Sequence, residues 1–446
     1  MVHCSLTENE HQNFQKMIDN NTHARLTAFQ KLRYVAPFFW AILLLFAQEL
    51  FEVKIPSIVF ATLISLPLWV LNKEKLPKYL CFLVPITFGV HGVLYLYILI
   101  TLFVRYKVSS WIQIVPPLIL AIVEWFDCTN SPTHVDLTKI IIFYSAVGVF
   151  FYLILDKTCD IKTSLKWLCI GLATGLFLLY ARAFVMGDWT QMLDVNSRGD
   201  FDNIDLKTDT ISHFIANANT IAFYSITLLS VIVCLWRQMG LKTSSMVLIA
   251  TIAIGAGVFS YSRTWILCVA LLILLFILLS KTKQRFYLSI ILVGGFFYLS
   301  YTENVIFDAI FSGFSSRFEE ASLDTGGHRT EIFAGYNEFF FSHPEYWFAG
   351  TGASCYNDVC KYWSSMHNGF QQLYICLGFI GLCLFSLLAL SATRLRCANI
   401  KASQWIPIII IFLFNQSVQF LAPICLMFPF ILGAYSLRIE QSDKKK

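Results

Sequence analysis

The feature that most limits what this chain can become is a succession of apolar runs, each about 15 to 25 residues long, divided by short loops rich in Lys and Arg. The runs cover 34–51, 56–71, 79–104, 111–126, 139–155, 165–186, 216–236, 244–260, 264–280, 286–301, 368–391, 403–420 and 422–437. A helix needs about 20 apolar residues to cross hydrocarbon, whereas a membrane β-barrel would show alternating segments of about ten residues. Only 14% of the residues are charged, against about a quarter in an ordinary soluble domain. The sequence therefore predicts an all-α polytopic membrane protein of about twelve transmembrane helices.

Charge placement predicts the orientation. The net charge of +5 does not point to a nucleic-acid partner, because most Lys and Arg lie in loops between runs, where they set topology. Arg237 with Lys242, the stretches 281–285 and 394–401, and Lys444–Lys446 mark the cytoplasmic face. The loops 187–215 and 302–367 then fall on the extracytoplasmic face. The expected divisions are a cytoplasmic tail over 1–33, a bundle over 34–301, a large active-site loop over 302–367, further membrane helices over 368–437 and a basic cytoplasmic tail over 438–446. The first apolar run begins only at Tyr34, so no cleavable signal peptide is expected. The run 79–104 has basic residues on both flanks and contains Pro85, Gly89 and Gly92. Two crossings need roughly 40 residues, so the run is expected to dip in and return; a thirteenth span is the alternative.

Most of the thirteen cysteines, among them Cys81, Cys169, Cys234 and Cys268, lie within the runs and behave as small hydrophobes. Chemistry concentrates instead in the long polar interval from Tyr301 to Leu382. Within it Phe307, Ile310, Phe311, Phe314 and Phe318 recur at helical spacing, as do Ile332, Phe333, Tyr336, Phe339 and Phe340. Two amphipathic helices on the membrane surface are expected there.

Arg263 stands in Tyr261-Ser262-Arg263-Thr264, the joint between two runs, on a face where topology asks for no cation. Unless it snorkels to the interface, it calls for an anionic partner. Arg329 opens the second surface helix, and His328 adjoins it. Arg317 lies beside Glu319 and Glu320, which suggests a salt bridge. His367 and Asn368 begin the run 368–391, behind the candidate helix caps Ser364 and Ser365. A helix N-terminus favours anions, and a histidine there is placed for general-base work near neutral pH. Arg182 and Arg198 add positive charge on the same face, and Glu49, Glu52 and Glu124 fall near run ends. Pro344 and the turn Gly350-Thr351-Gly352 set the path of the loop. Cys355 and Cys360 lie outside the cytoplasm, where a disulfide persists, and no further ligand at metal spacing accompanies them. Neither a phosphate-binding Gly-rich loop with Lys, a nucleophile elbow nor HExxH is present, which argues against ATP-driven transport and metalloproteolysis.

These residues together resemble the signature region of the bacterial O-antigen ligase and polymerase superfamily. The carrying segments are HRTEIFAGYNEFFFSHPEYWFAGTG and MHNGFQQLYICLGFIGL, with SRTW at 262–265 and IANANTIAFYS at 215–225 upstream. Thr264 stands where that family more often has Gly. The resemblance implies a metal-independent integral-membrane glycosyltransferase with no cofactor. Its donor would be a glycan on undecaprenyl diphosphate at the outer face of the bacterial inner membrane. By the same resemblance Arg263 and Arg329 would hold the diphosphate and His367 would act on the acceptor hydroxyl. Arg182, Arg198, Arg317, His328 and Asn368 would be secondary contacts to diphosphate or glycan. Membrane lipid and a chain-length regulator are the further partners it suggests. Fixed guanidinium groups suit the charge that develops on a diphosphate leaving group. A repeat-unit polymerase of O-antigen or capsule is the first expectation, and a ligase acting on a lipid A core is the second. A transporter or flippase of lipid-linked saccharide would show internal repeats and mid-membrane charges.

Overall fold

The structure is a computed structural model. It describes residues 35–51, 53–72, 74–86, 92–105, 115–129, 137–155, 160–187, 189–196, 218–279, 305–323, 329–352, 359–360, 366, 368–393, 401–414 and 428–439. Its regular elements are helices: α1 (Val35–Glu49), α2 (Ser57–Val70), α3 (Leu76–Ile86), α4 (Gly92–Arg105), α5 (Val115–Thr129), α6 (Leu137–Leu155), α7 (Ile161–Met186), α8 (Ala218–Leu235), α9 (Thr243–Phe259), α10 (Arg263–Leu279), α11 (Val305–Leu323), α12 (Arg329–Ser342), α13 (Gly369–Thr393), α14 (Ala402–Phe414) and α15 (Phe428–Arg438). Two 3-10 turns, Trp189–Leu193 and Pro344–Tyr346, join them. The protein is all-α. Among the described residues α7 and α8 are long and apolar enough to cross a membrane, and α1 to α4, α9, α10, α14 and parts of α6 and α13 are shorter apolar helices. Many of their side chains face outward, including Phe39, Ile58, Val104, Phe177, Leu248 and Leu267. An apolar exterior of this kind marks a membrane-associated protein rather than a water-soluble one.

The interior is packed by aromatic and small residues. Phe38 of α1 stacks on Trp167 of α7 at 3.9 Å and meets the edges of Tyr79 and Phe82 of α3. Gly171 lets α3 touch α7, since a Cβ there would lie 2.2 Å from the Phe82 carbonyl oxygen. Central α8 is buried along most of its length and packs on α9 and α14, with Phe223 stacked on Phe414.

The run 79–104 divides into α3 and α4. Arg105, at the end of α4, donates to the Leu68 and Trp69 carbonyls at the end of α2. The start of α3, six residues after α2 ends, and the end of α4 therefore lie together, so this run turns back on itself as expected. At 11 and 14 residues, its arms reach about 16 and 21 Å at 1.5 Å per residue, short of a full crossing.

The C-terminal halves of α7 and α9 meet, the Tyr180 hydroxyl donating to the Ala256 carbonyl at 3.3 Å with its ring 5.8 Å from Phe259. Lys162 and Lys166 on α7 and Lys242 before α9 thus share one end of the molecule. The α9–α10 joint, the Trp189–Leu193 turn and α11 gather at the other.

Helix α13 is broken at Gly378, whose φ of 59° and ψ of −160° lie outside any helix. Backbone from Trp347 to Gly352 fills the break. Phe379 and Ile380 N–H donate to the Trp347 and Phe348 carbonyls at 2.8 and 3.0 Å, and Thr351 and Gly352 N–H donate to the Ile375 and Cys376 carbonyls at 2.9 and 3.0 Å.

Candidate functional site

The site begins at the tight joint between α9 and α10. Ser260 Oγ donates to the Gly257 carbonyl at 2.6 Å and closes α9. Ser262 opens α10, its carbonyl accepting from Trp265 N–H at 3.0 Å. Between them Tyr261 adopts a φ of +44°, a strained value for a bulky residue. The surroundings hold it there. Its hydroxyl donates to the Leu193 carbonyl at 2.9 Å, its ring lies 5.1 Å from Phe314, and Gly313 of α11 lies against the ring. Burial, and then the Asp194 carboxylate, raise the pKa of the phenol and keep it protonated. Trp265 anchors the other side of the joint, its indole N–H donating to Ser225 Oγ at 2.8 Å. The same indole covers Gly257, where a Cβ would come within 2.0 Å of the ring.

Arg263 is thereby delivered to α11, where Nη1 donates to the Arg317 carbonyl at 3.1 Å. Arg329, the first residue of α12, completes a trio. Burial lowers the pKa of its guanidinium, and the positive charges of Arg263 and Arg317 lower it further. All three side chains are half-buried. Guanidinium groups stay protonated in proteins, so the fold holds three like charges together in partly desolvated surroundings. Each of these charges raises the cost of the others, and negative charge brought close to them lowers it.

Two helix starts face the same way. Asn368 caps α13, its Oδ1 accepting from Phe370 and Gln371 N–H at 3.0 and 3.1 Å. Gln371 Nε2 donates to the Phe333 carbonyl at 2.7 Å and to Asn337 Oδ1 at 3.1 Å. One turn on, the Tyr374 hydroxyl donates to Asn337 Oδ1, and its ring meets Phe340 edge-on at 5.4 Å. Contacts that advance together along both helices make α12 and α13 parallel. Arg329, four residues before Phe333, and Asn368, three before Gln371, therefore begin their helices side by side, and both starts favour negative charge.

The structure thus brings Arg263, Arg317 and Arg329 together and sets Asn368 at the same end of the α12–α13 pair. Arg317 contributes its carbonyl to Arg263 and its charge to the surroundings of Arg329. Asn368 serves as the helix cap, the role that the sequence suggested for Ser364 and Ser365. Arg182 is buried and donates to Glu49 across α1 and α7; a carboxylate offsets the charge expected to join the site. Glu49 and Glu124, which fall near run ends, are both buried, and Glu124 accepts from the Tyr144 hydroxyl. Cys360 is a buried free thiol whose pKa burial pushes up to about 12, so this structure does not contain the bridge that the Cys355–Cys360 spacing allowed. His343 lies against Phe339, Nδ1 at 2.8 Å from its carbonyl, and closes the end of α12. His328, His367, Arg198, Glu52, Ser364, Ser365 and Cys355 lie outside the described residues. The two helices expected in this interval are present as α11 and α12. Phe311, Phe318, Phe333 and Phe341 remain exposed on them, while Ile332, Tyr336 and Phe340 are buried. Sequence reasoning missed Tyr261, Asn337, Gln371 and Tyr374 as the residues that position the arginines and the cap. No protein-family model matches this chain, and no curated protein matches it in sequence.

Proposed function

We propose that this protein is an integral-membrane glycosyltransferase that polymerises saccharide repeat units. It would transfer a glycan from undecaprenyl diphosphate to a hydroxyl of a lipid-linked acceptor at the extracytoplasmic face of a bacterial inner membrane. The observation that carries the reading is the trio Arg263, Arg317 and Arg329 beside two parallel helix starts. A diphosphate is a small, dense anion that can engage several guanidinium groups at once. As the glycosidic bond breaks, charge grows on the departing phosphate, and donors already fixed in place stabilise it without reorganising. Arg263 and Arg329 are assigned to the diphosphate and Arg317 to its support. His367, which precedes the cap Asn368 in sequence, is assigned as the base for the acceptor hydroxyl. The reading places about twelve spans in the membrane, with Lys162, Lys166, Arg237 and Lys242 on the cytoplasmic side. The charges of the trio gather at one end of the bundle, which favours an enzyme over a transporter with ionisable groups at mid-membrane.

The test is surface polysaccharide resolved by size in a strain lacking the gene and complemented with variants. The expected result is a single repeat unit on the lipid core in the deletion strain, and no polymer from Arg263→Ala or Arg329→Ala at normal protein level. Bare core with long polymer held on the carrier lipid would assign a ligase instead. An unchanged ladder would overturn the transferase reading.

A further inference from the structure

The break in α13 is a matched exchange of hydrogen bonds. In a continuous helix Phe379 and Ile380 N–H would donate to the carbonyls four residues back, Ile375 and Cys376. Here those donors take the Trp347 and Phe348 carbonyls, and the vacated acceptors take Thr351 and Gly352 N–H. Buried Thr351 adds Oγ1 to the Ile375 carbonyl at 3.2 Å. Two bonds of the helix are thus replaced by four to the inserted segment. Withdrawing that segment leaves α13 with the two donors and two acceptors it needs to close on itself. A half-withdrawn state would leave buried backbone groups unpaired in apolar surroundings, so α13 is satisfied in two arrangements: closed on the inserted segment, or closed on itself with the withdrawn segment's own N–H and carbonyl groups taken up by water.

Glycine is required on both sides of the exchange. Gly378 occupies a backbone region that side chains do not enter, and a Cβ there would lie 2.6 Å from Gly350 N and 2.7 Å from the Phe348 oxygen. Gly350 has a φ of +86°, and its Cβ would lie 2.3 Å from the Cys376 oxygen. The half of α13 before the break carries Gln371 and Tyr374, which hold α12, and begins beside Asn368. Straightening α13 would turn that half away from Asn337 and the Phe333 carbonyl, and so away from the helix that Arg329 opens.

We propose that the segment Trp347–Gly352 is an exchangeable insert in α13, and that Gly350 and Gly378 are positioning residues that hold the start of α13 beside Arg329. The effect on transfer rests on the function proposed above; the exchange itself does not. The experiment is hydrogen–deuterium exchange on the full-length protein in lipid nanodiscs, paired with polymer formation in cells, for wild type, Gly378→Ala and Gly350→Ala. In the wild type, 347–352 and 375–380 should both be protected. In each variant 347–352 should exchange at least about tenfold faster while 375–380 stays protected as a closed helix. Polymer should fall by about 100-fold at normal protein level, the scale of a misplacement of about 1 Å. Loss of protection in both segments would mean simple destabilisation, and unchanged protection in both would mean the glycines are dispensable; either result overturns the proposal. Release of the insert with a normal ladder would overturn the positioning role and leave the transferase reading standing. Failure of that reading shows separately, as normal polymer from Arg263→Ala.

Discussion

Arg329 sits in a field of its own sign, beside Arg263 and Arg317 and partly withdrawn from water. Occupancy by a diphosphate would relieve that field, so charge and geometry should matter separately. Arg329→Lys keeps the charge but loses the planar fork, and is expected to retain a few per cent of wild-type polymer, whereas Arg329→Gln should retain none. Equal activity in the two variants would refute a bidentate role, and chain-length analysis at matched expression reads the difference. Cys360 offers a second test. A buried thiol with its pKa pushed up to about 12 should resist maleimide labelling in the folded protein, labelling readily once unfolded without any reductant. A requirement for reductant would establish the bridge to Cys355. Arg263 and Arg329 were legible in the sequence because a cation beside an apolar run needs a reason. Arg317 was only half legible: its acidic neighbours suggested a salt bridge, whereas the contact of its carbonyl with Arg263, 54 residues away, leaves no mark in the sequence. Tyr261 gave no signal, because its strained backbone is set by Leu193, Gly313 and Phe314, from segments distant in sequence.

At the scale of elements, the close pairs rest on missing side chains. Gly171→Ala would drive a methyl into the Phe82 carbonyl of α3, and overpacking of this kind costs about 1–3 kcal/mol. The expected result is a lower unfolding temperature in detergent with polymer chemistry unchanged in lipid; an unchanged melting profile would show that α3 can move aside. The α3–α4 turn-back was anticipated from the length of the run and its basic flanks, because the bilayer sets a length that two crossings cannot meet. The filled break in α13 was not. Gly350, Gly352 and Gly378 were each visible, but their meeting is made by backbone hydrogen bonds, which leave no trace in side-chain periodicity. The buried pair of Arg182 and Glu49, 133 residues apart, was hidden for a related reason: sequence gives each charge but not its partner.

Among the described residues two groups of cations lie at opposite ends of the bundle. Lys162, Lys166 and Lys242 lie at one end and the arginine trio gathers at the other, the division expected if the first end faces the cytoplasm. The prediction is directional. An epitope inserted at Gly240, where a side chain would meet open space, should bind antibody only after the inner membrane is permeabilised. One inserted at exposed Glu345 should bind without permeabilisation once the outer layers are removed, and reversed accessibility would invert the proposed orientation. The all-α, apolar-surfaced character of the protein was legible from hydropathy alone, because lipid as a solvent imposes one length and one composition on every crossing helix.

The most direct test of the central idea, that the trio is an anion site, is binding of undecaprenyl diphosphate to the purified full-length protein in nanodiscs. Wild type should bind it, and Arg263→Ala, Arg317→Ala and Arg329→Ala should each weaken binding by at least about tenfold, the scale of one charge-assisted hydrogen bond. Undiminished binding in all three variants would contradict it.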